Sequence, residues 1–113
     1  MIALVALAAT AALAATPPPA RVQVVATEFQ YELSRASVKS GRVIIQLVNY
    51  GEDPHDLYVK RIAENAKTFK TADVLPEKYT DLNLRLGPGR YQLWCSIADH
   101  RARGMRATLT VKK

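Results

Sequence analysis

The chain has 113 residues, of which 49% are hydrophobic and 23% are charged, and its formal net charge is +6. This length supports one hydrophobic core and no second domain, and the composition is that of a globular protein rather than a disordered one. A basic protein can bind nucleic acid, but these charges are spread along the chain and aromatic residues make up only 7% of it. With no recognisable binding motif either, the sequence argues against a nucleic-acid partner.

The amino terminus predicts export. Residues 1–15 are almost wholly Ala, Leu, Val and Ile, a run too short to span a membrane but of the length found in signal peptides. The sequence Ala12-Leu13-Ala14 is a small-x-small cleavage site, so we predict a signal peptide at 1–14, a Pro-rich linker at 15–20 and one domain at 21–113. The run lacks the usual Lys or Arg before it, and an uncleaved anchor or a buried helix is the alternative. After cleavage we expect no stable membrane insertion.

Alternating apolar and polar residues predict β-strands through most of the remaining chain. Turn signals at Ser40-Gly41, Asn49-Tyr50-Gly51 and Gly87-Pro88-Gly89 separate the strands, and the pattern predicts an all-β, two-sheet β-sandwich with Greek-key connections. The alternating apolar positions are Val22, Val24 and Ala26; Val43, Ile45 and Leu47; Leu57 and Val59; Leu82, Leu84 and Leu86; Tyr91, Leu93 and Cys95; and Ala107, Leu109 and Val111.

One segment departs from this alternation. Ile62, Ala66 and Phe69 stand at i, i+4 and i+7, a spacing that places them on one face of a helix. Pro76 would end such a helix or begin a turn. We therefore predict a short helical excursion around residues 62–79.

The chemistry is concentrated in one short stretch near the carboxyl end, which contains Cys95, His100 and Met105. The chain has one cysteine and two histidines, and the second histidine, His55, follows a predicted strand and turn. Two histidines and a cysteine in a plane, with a weak axial methionine, are the ligands of a blue-copper electron-transfer site. A lone cysteine in an exported protein cannot form an internal disulfide, which also favours a metal. We predict one copper bound by His55, Cys95, His100 and Met105.

Three motifs resemble the cupredoxins, the plastocyanin and azurin family, and in particular their bacterial branch. They are Asn49-x-Gly51-x-x-Pro54-His55-Asp56, Leu86-Gly-Pro-Gly-Arg-Tyr91-x-Leu-Trp94-Cys95, and Cys95-x₄-His100-x₄-Met105. The run Glu28-Phe29-Gln-Tyr31-Glu-Leu33 before Ser37-Val38-Lys-Ser-Gly41 also resembles the first hairpin of the bacterial members. The resemblance covers most of residues 22–112. It differs from plant plastocyanins in having four residues rather than two between Cys95 and His100, and Asp56 in place of Asn. It implies a periplasmic, monomeric one-electron carrier with a type 1 copper and no enzymatic activity.

Other functions fit less well. Structural zinc requires four good nitrogen or sulfur ligands, and a thioether is a poor one. Multicopper oxidases resemble this fold but need several more histidines. The alternative that stays open is copper handling, either as a carrier or sequestration protein or as an accessory module of a metal-uptake system.

Residues beside the predicted ligands suggest further roles. The resemblance implies that Asp56 joins the two ligand loops by hydrogen bonds, although it could equally be a solvated turn carboxylate. Gly104 is suited to a sharp turn or a close backbone approach. Arg101, Arg103 and Arg106 border the site and predict redox partner proteins with an acidic docking surface.

Overall fold

The computed structural model describes residues 1–9 and 15–113. Residues 1–9 and 15–19 contain neither helix nor strand and are mostly exposed. The predicted cleavage site at Ala12–Ala14 lies outside the described residues. In the two described ranges, no helix has the length and apolar character needed to cross a lipid bilayer.

Nine strands and one helical turn make up the domain. The strands are β1 (Ala20–Thr27), β2 (Gln30–Leu33), β3 (Ser37–Lys39), β4 (Gly41–Asn49), β5 (Tyr58–Arg61), β6 (Thr68–Lys70), β7 (Tyr79–Leu86), β8 (Gly89–Trp94) and β9 (Arg106–Lys112), and the helical turn is α1 (His100–Arg103). They form a four-stranded sheet in the order β2-β1-β4-β7 and a five-stranded sheet in the order β3-β9-β8-β5-β6. The predicted two-sheet sandwich is confirmed.

Both sheets are mixed. Strand β1 runs parallel to β4, with Val22 opposite Ile45, and β3 runs parallel to β9, with Val38 opposite Val111. The remaining pairs are antiparallel. Parallel neighbours require the chain to cross to the other sheet before it returns. Strand β9 pairs with both β3 and β8 and therefore lies in the interior of the second sheet.

The core lies between the sheets, where the inward side chains of alternating positions meet. Val24, Ile45, Leu47, Leu93 and Leu109 are completely buried, as the period-2 pattern predicts. This rigid core ends close to the predicted ligands: β8 stops one residue before Cys95, and β9 begins one residue after Met105.

The predicted helix at 62–79 is wrong. This span instead contains β6 and turns, and residues 68–70 pair antiparallel with β5 as the edge of the five-stranded sheet. Phe69 packs against the core, whereas Ile62, which the helix would have buried beside it, is 54% exposed. Pairing with β5 gives the backbone N–H and C=O groups of β6 hydrogen-bond partners. Three apolar residues on one face would stabilise a short helix too little to compete with this pairing.

Candidate metal centre

The first ligand segment, residues 49–56, is shaped by a buried asparagine. Asn49 is fully buried, and its amide nitrogen donates to the main-chain oxygens of Asp53 and Val74, each at 2.8 Å. Its side-chain oxygen accepts from the Gly51 N–H at 2.8 Å. His55 then exchanges two main-chain hydrogen bonds with Val74, at 3.1 and 2.7 Å. The histidine is thereby fixed at the end of the sandwich with no exposed surface.

The second ligand segment, residues 95–105, is closed by its own backbone. The Cys95 N–H donates to the Met105 carbonyl at 3.0 Å, and the Met105 N–H donates to the His100 carbonyl at 3.1 Å. Gly104 has φ +129°, and a Cβ there would lie 2.8 Å from the Phe29 carbonyl oxygen. Both a left-handed backbone and a close approach therefore require glycine, as the sequence predicts.

Asp56 joins the two ligand segments. Its carboxylate accepts a hydrogen bond from the Ser96 N–H at 2.7 Å and another from the Ser96 hydroxyl. The Tyr31 hydroxyl donates to the main-chain oxygen of Asp56. Asp56 is only 4% exposed, so the implied link between the loops is confirmed and the solvated-carboxylate alternative is wrong.

The structure brings His55, Cys95 and His100 together. One ligand atom from each lies within 4.8 Å of the others. The Cys95 sulfur is 3.6 Å from Nδ1 of His100, and the two imidazole centroids are 5.0 Å apart. All three residues are buried, with exposures of 0%, 0% and 6%. This is a compact set of one thiol and two imidazoles shielded from water.

An unsatisfied nitrogen tests whether a metal suits these residues. Nδ1 of His55 is buried and has no hydrogen-bond partner, alone in this among the buried side-chain nitrogen and oxygen atoms of the described residues. A buried polar atom without a partner costs about 1–3 kcal/mol, and a metal ion would satisfy it. Imidazole and thiolate suit copper, and a metal-ligating histidine normally donates its other ring N–H to a fixed acceptor.

Burial raises the pKa of the Cys95 thiol. Without metal the sulfur therefore keeps its proton through a wider pH range than an exposed cysteine. A metal that binds sulfur displaces this proton, because the thiolate is the ligand. Binding at this site is consequently coupled to the release of a proton.

Met105 is completely buried in the same core cluster as Cys95. Its main chain is tied to both Cys95 and His100, as described above. These contacts place the residue beside the other three, and its role as the fourth ligand stays a prediction.

Three residues that contact the site were not predicted from the sequence. Glu28 lies in the β1–β2 turn, and one oxygen of its carboxylate is 3.0 Å from Nε2 of His55. Ser96 binds Asp56, and a carboxylate oxygen of Asp53 is 3.6 Å from Nε2 of His100. The 27-residue separation between Glu28 and His55 explains the omission, since only the pairing of the sheets brings the two together.

The three predicted border arginines differ in their surroundings. The Arg101 guanidinium lies 4.6 Å from the centre of the Trp94 ring. Arg103 lies 4.8 Å from the Phe29 ring and forms an ion pair with Asp99 at 2.8 Å. Arg106 is exposed at the start of β9. Part of the charge of Arg103 is therefore compensated within the chain.

No protein-family model matches the sequence, and no curated protein does either. Solved structures do match. Reduced auracyanin from Roseiflexus castenholzii aligns with a TM-score of 0.70 and 14% identity over 86% of this chain and 100% of that one. Auracyanin A from Chloroflexus aurantiacus, a "blue" copper protein, aligns with a TM-score of 0.65 and 9% identity over 84% and 100%. Reduced rusticyanin aligns with a TM-score of 0.63 and 19% identity over 85% and 82%. The chain thus has the cupredoxin fold that its motifs predict.

Proposed function

We propose that the protein binds one type 1 copper through His55, Cys95 and His100, with Met105 as the axial ligand, and carries single electrons between redox partners. The observation that carries the proposal is the buried, unpartnered Nδ1 of His55. It belongs to a group in which one ligand atom each from His55, Cys95 and His100 lies within 4.8 Å of the others. The "blue" copper auracyanin A has the same fold. Bound copper would supply a Cu(II)/Cu(I) couple.

The chain's own contribution is rigidity and exclusion of water. Each ligand segment is fixed at both ends by strands or by main-chain hydrogen bonds, and Asp56 ties one segment to the other. Donors held in this way keep nearly the same positions in both oxidation states, so little reorganisation accompanies electron transfer. A site with all four positions filled by protein has none open for a substrate, which supports a carrier rather than an enzyme.

Burial also favours an electron carrier over copper handling. A protein that delivers copper must release it to another ligand set. Here His55 and Cys95 are completely buried and His100 is 6% exposed, so an incoming ligand could approach only past His100. The same small opening is sufficient for electron exchange.

A visible spectrum tests the copper assignment. Loaded with Cu(II), the protein is expected to turn intensely blue or green through thiolate-to-copper charge transfer, and Cys95→Ser should abolish the band. Zn(II)-loaded protein serves as a colourless control. A wild-type Cu(II) protein that stays nearly colourless contradicts the type 1 site.

Export and location extend the proposal. The apolar run at 1–9 and the small residues Ala12 and Ala14 support cleavage after residue 14 and transfer to the periplasm. Mass spectrometry of the protein from cell fractions should find a periplasmic chain that begins at Ala15. A cytoplasmic chain that retains Met1 contradicts export.

An acidic partner surface is supported by the charge distribution of the five-stranded sheet. Its strands carry seven basic residues and no acidic one, whereas the strands of the four-stranded sheet carry both signs. The basic residues are Lys39, Lys60, Arg61, Lys70, Arg90, Arg106 and Lys112. Arg101 extends this charge toward His100. Such one-sided charge steers an oppositely charged partner and weakens with salt, since the screening length is about 10 Å at 0.1 M.

Electron exchange with an anionic oxidant such as hexacyanoferrate measures this steering. The double change Arg101→Glu and Arg103→Glu should slow the reaction at low salt and flatten its salt dependence, while the visible spectrum stays unchanged. Lys39→Glu with Lys112→Glu makes the same charge change at the far end of the sheet and should slow the reaction less. Equal rates for all three proteins at every salt concentration contradict steering at the His100 end.

A further inference from the structure

The carboxylate of Glu28 reaches from the β1–β2 turn into the first ligand segment. Its oxygen Oε1 accepts the main-chain N–H groups of Glu52 at 2.8 Å and Asp53 at 2.7 Å, and it lies 3.0 Å from Nε2 of His55. Three donors therefore converge on one oxygen. The side chain is 26% exposed, so the contact is partly shielded from water.

The first segment is built to admit this carboxylate. A Cβ on Gly51 would overlap the carboxylate of Glu28, so any larger residue at that position would displace the Glu28 side chain. Oε1 accepts the main-chain N–H groups of Glu52 and Asp53 as a carboxylate oxygen does, and a carboxylate accepts hydrogen bonds and donates none.

The geometry at Glu28 determines which nitrogen of His55 faces a hydrogen-bond acceptor. Because a carboxylate cannot donate, the hydrogen between Oε1 and Nε2 must belong to the imidazole. In the neutral imidazole, Nδ1 of the same ring is then a bare lone pair. It is the buried atom that has no partner. Hydrogen bonds that orient the far nitrogen of a metal-binding histidine also raise its basicity.

We infer that Glu28 is a positioning residue that holds His55 in the Nε2–H tautomer and presents Nδ1 to the metal, an inference whose metal-binding part rests on the proposed function. The adjacent Phe29 extends the role of this turn, since its ring lies 4.9 Å from that of His100 and its carbonyl faces Gly104. One turn outside both ligand segments thus contacts each of them. The competing explanation is that Glu28 only ties the loop through the Glu52 and Asp53 N–H groups.

The copper-free protein provides the first test. Nitrogen NMR of the His55 ring at neutral pH should find the Nε2–H tautomer in wild type and in Glu28→Gln, whose amide oxygen still accepts, and a mixture of tautomers in Glu28→Ala. Glu52→Gln removes a neighbouring charge whose side chain is exposed, and it should match wild type. This measurement needs no metal, so it separates the inference from the copper proposal.

Copper competition with a chelator provides the second test. Loss of such an outer hydrogen bond typically weakens metal binding about 10–100-fold, and we expect this loss in Glu28→Ala, a smaller one in Glu28→Gln and none in Glu52→Gln. The reduction potential should rise in both Glu28 variants, because removal of a negative charge favours Cu(I). A wild-type tautomer, affinity and potential in Glu28→Ala, with only the unfolding free energy reduced, would overturn the inference. If wild type binds no copper but the tautomer still depends on Glu28, the proposed function fails and the positioning role stands.

Discussion

The two ligand segments are held in different ways. In the first, single side chains determine the shape: Asn49 makes three hydrogen bonds within the loop, and Glu28 holds the far side of His55. In the second, main-chain hydrogen bonds among Cys95, His100 and Met105 close the loop, and its polar side chains mostly face outward. The first segment should therefore be sensitive to individual substitutions. The second should tolerate them outside its ligands, Gly104 and Ser96, whose hydroxyl bonds to Asp56.

Removal of the link between the two ligand segments should reduce the unfolding free energy the most. Asp56→Ala leaves the Ser96 N–H and hydroxyl without their buried carboxylate partner, and hydrogen bonds to a charged group contribute about 1.5–3 kcal/mol each. We expect the unfolding free energy of the copper-free protein to fall by about 3 kcal/mol in a urea titration. Asp56→Asn should lose less, and the exposed Asp73→Ala should lose almost nothing. An Asp56→Ala loss no larger than that of Asp73→Ala would mean that the segments are independent.

A change confined to the first segment should reduce the unfolding free energy by an intermediate amount. Asn49→Ala removes three hydrogen bonds of a fully buried amide, and a few unsatisfied buried groups cost about 2 kcal/mol after partial relaxation. The same urea titration measures the loss. Asn83→Ala, at an exposed position of β7, provides the matched control and should change stability by less than about 0.5 kcal/mol. If the two variants unfold alike, side chains do not determine the shape of this segment.

A conservative change in the second segment should have the smallest effect on stability and still alter the site. Met105→Leu preserves volume and should cost less than about 1.5 kcal/mol. Loss of the weak thioether donor matters more to Cu(II) than to Cu(I), so the reduction potential should rise, and Met105→Gln should lower it by supplying a harder oxygen. Leu109→Met, also fully buried, controls for repacking of the core. Voltammetry that finds no shift in either Met105 variant removes this residue from the ligand set.

The sandwich could be predicted because half-buried strands repeat every two residues, so Val22, Ile45 and Leu93 identify their inward faces locally. The cluster of His55, Cys95 and His100 could be predicted because these residue types are rare in the chain. The error at 62–79 has a physical origin, since Ile62, Ala66 and Phe69 fit a helix face as well as a loop followed by an edge strand. Only pairing with β5 decides between them.

Contacts between distant segments could not be predicted in the same way. Glu28 meets His55 across 27 residues, and Asp56 meets Ser96 across 40. Each contact depends on sheet order and register, which single residues do not encode. The resemblance to a family implied a role for Asp56. It also covered the run that begins at Glu28, but as a hairpin, and it implied no contact between Glu28 and the site.

The interior position of β9 has a consequence for how the second sheet and the metal pocket are completed. All strands of the four-stranded sheet precede Gly87 in the sequence, whereas the five-stranded sheet also needs β8 and β9, which follow Pro88. The five-stranded sheet cannot close until β9, the last strand of the described chain, inserts between β3 and β8. The Cys95 N–H gains its Met105 partner at the same moment. The metal pocket is therefore complete only when β9 has taken its place between β3 and β8.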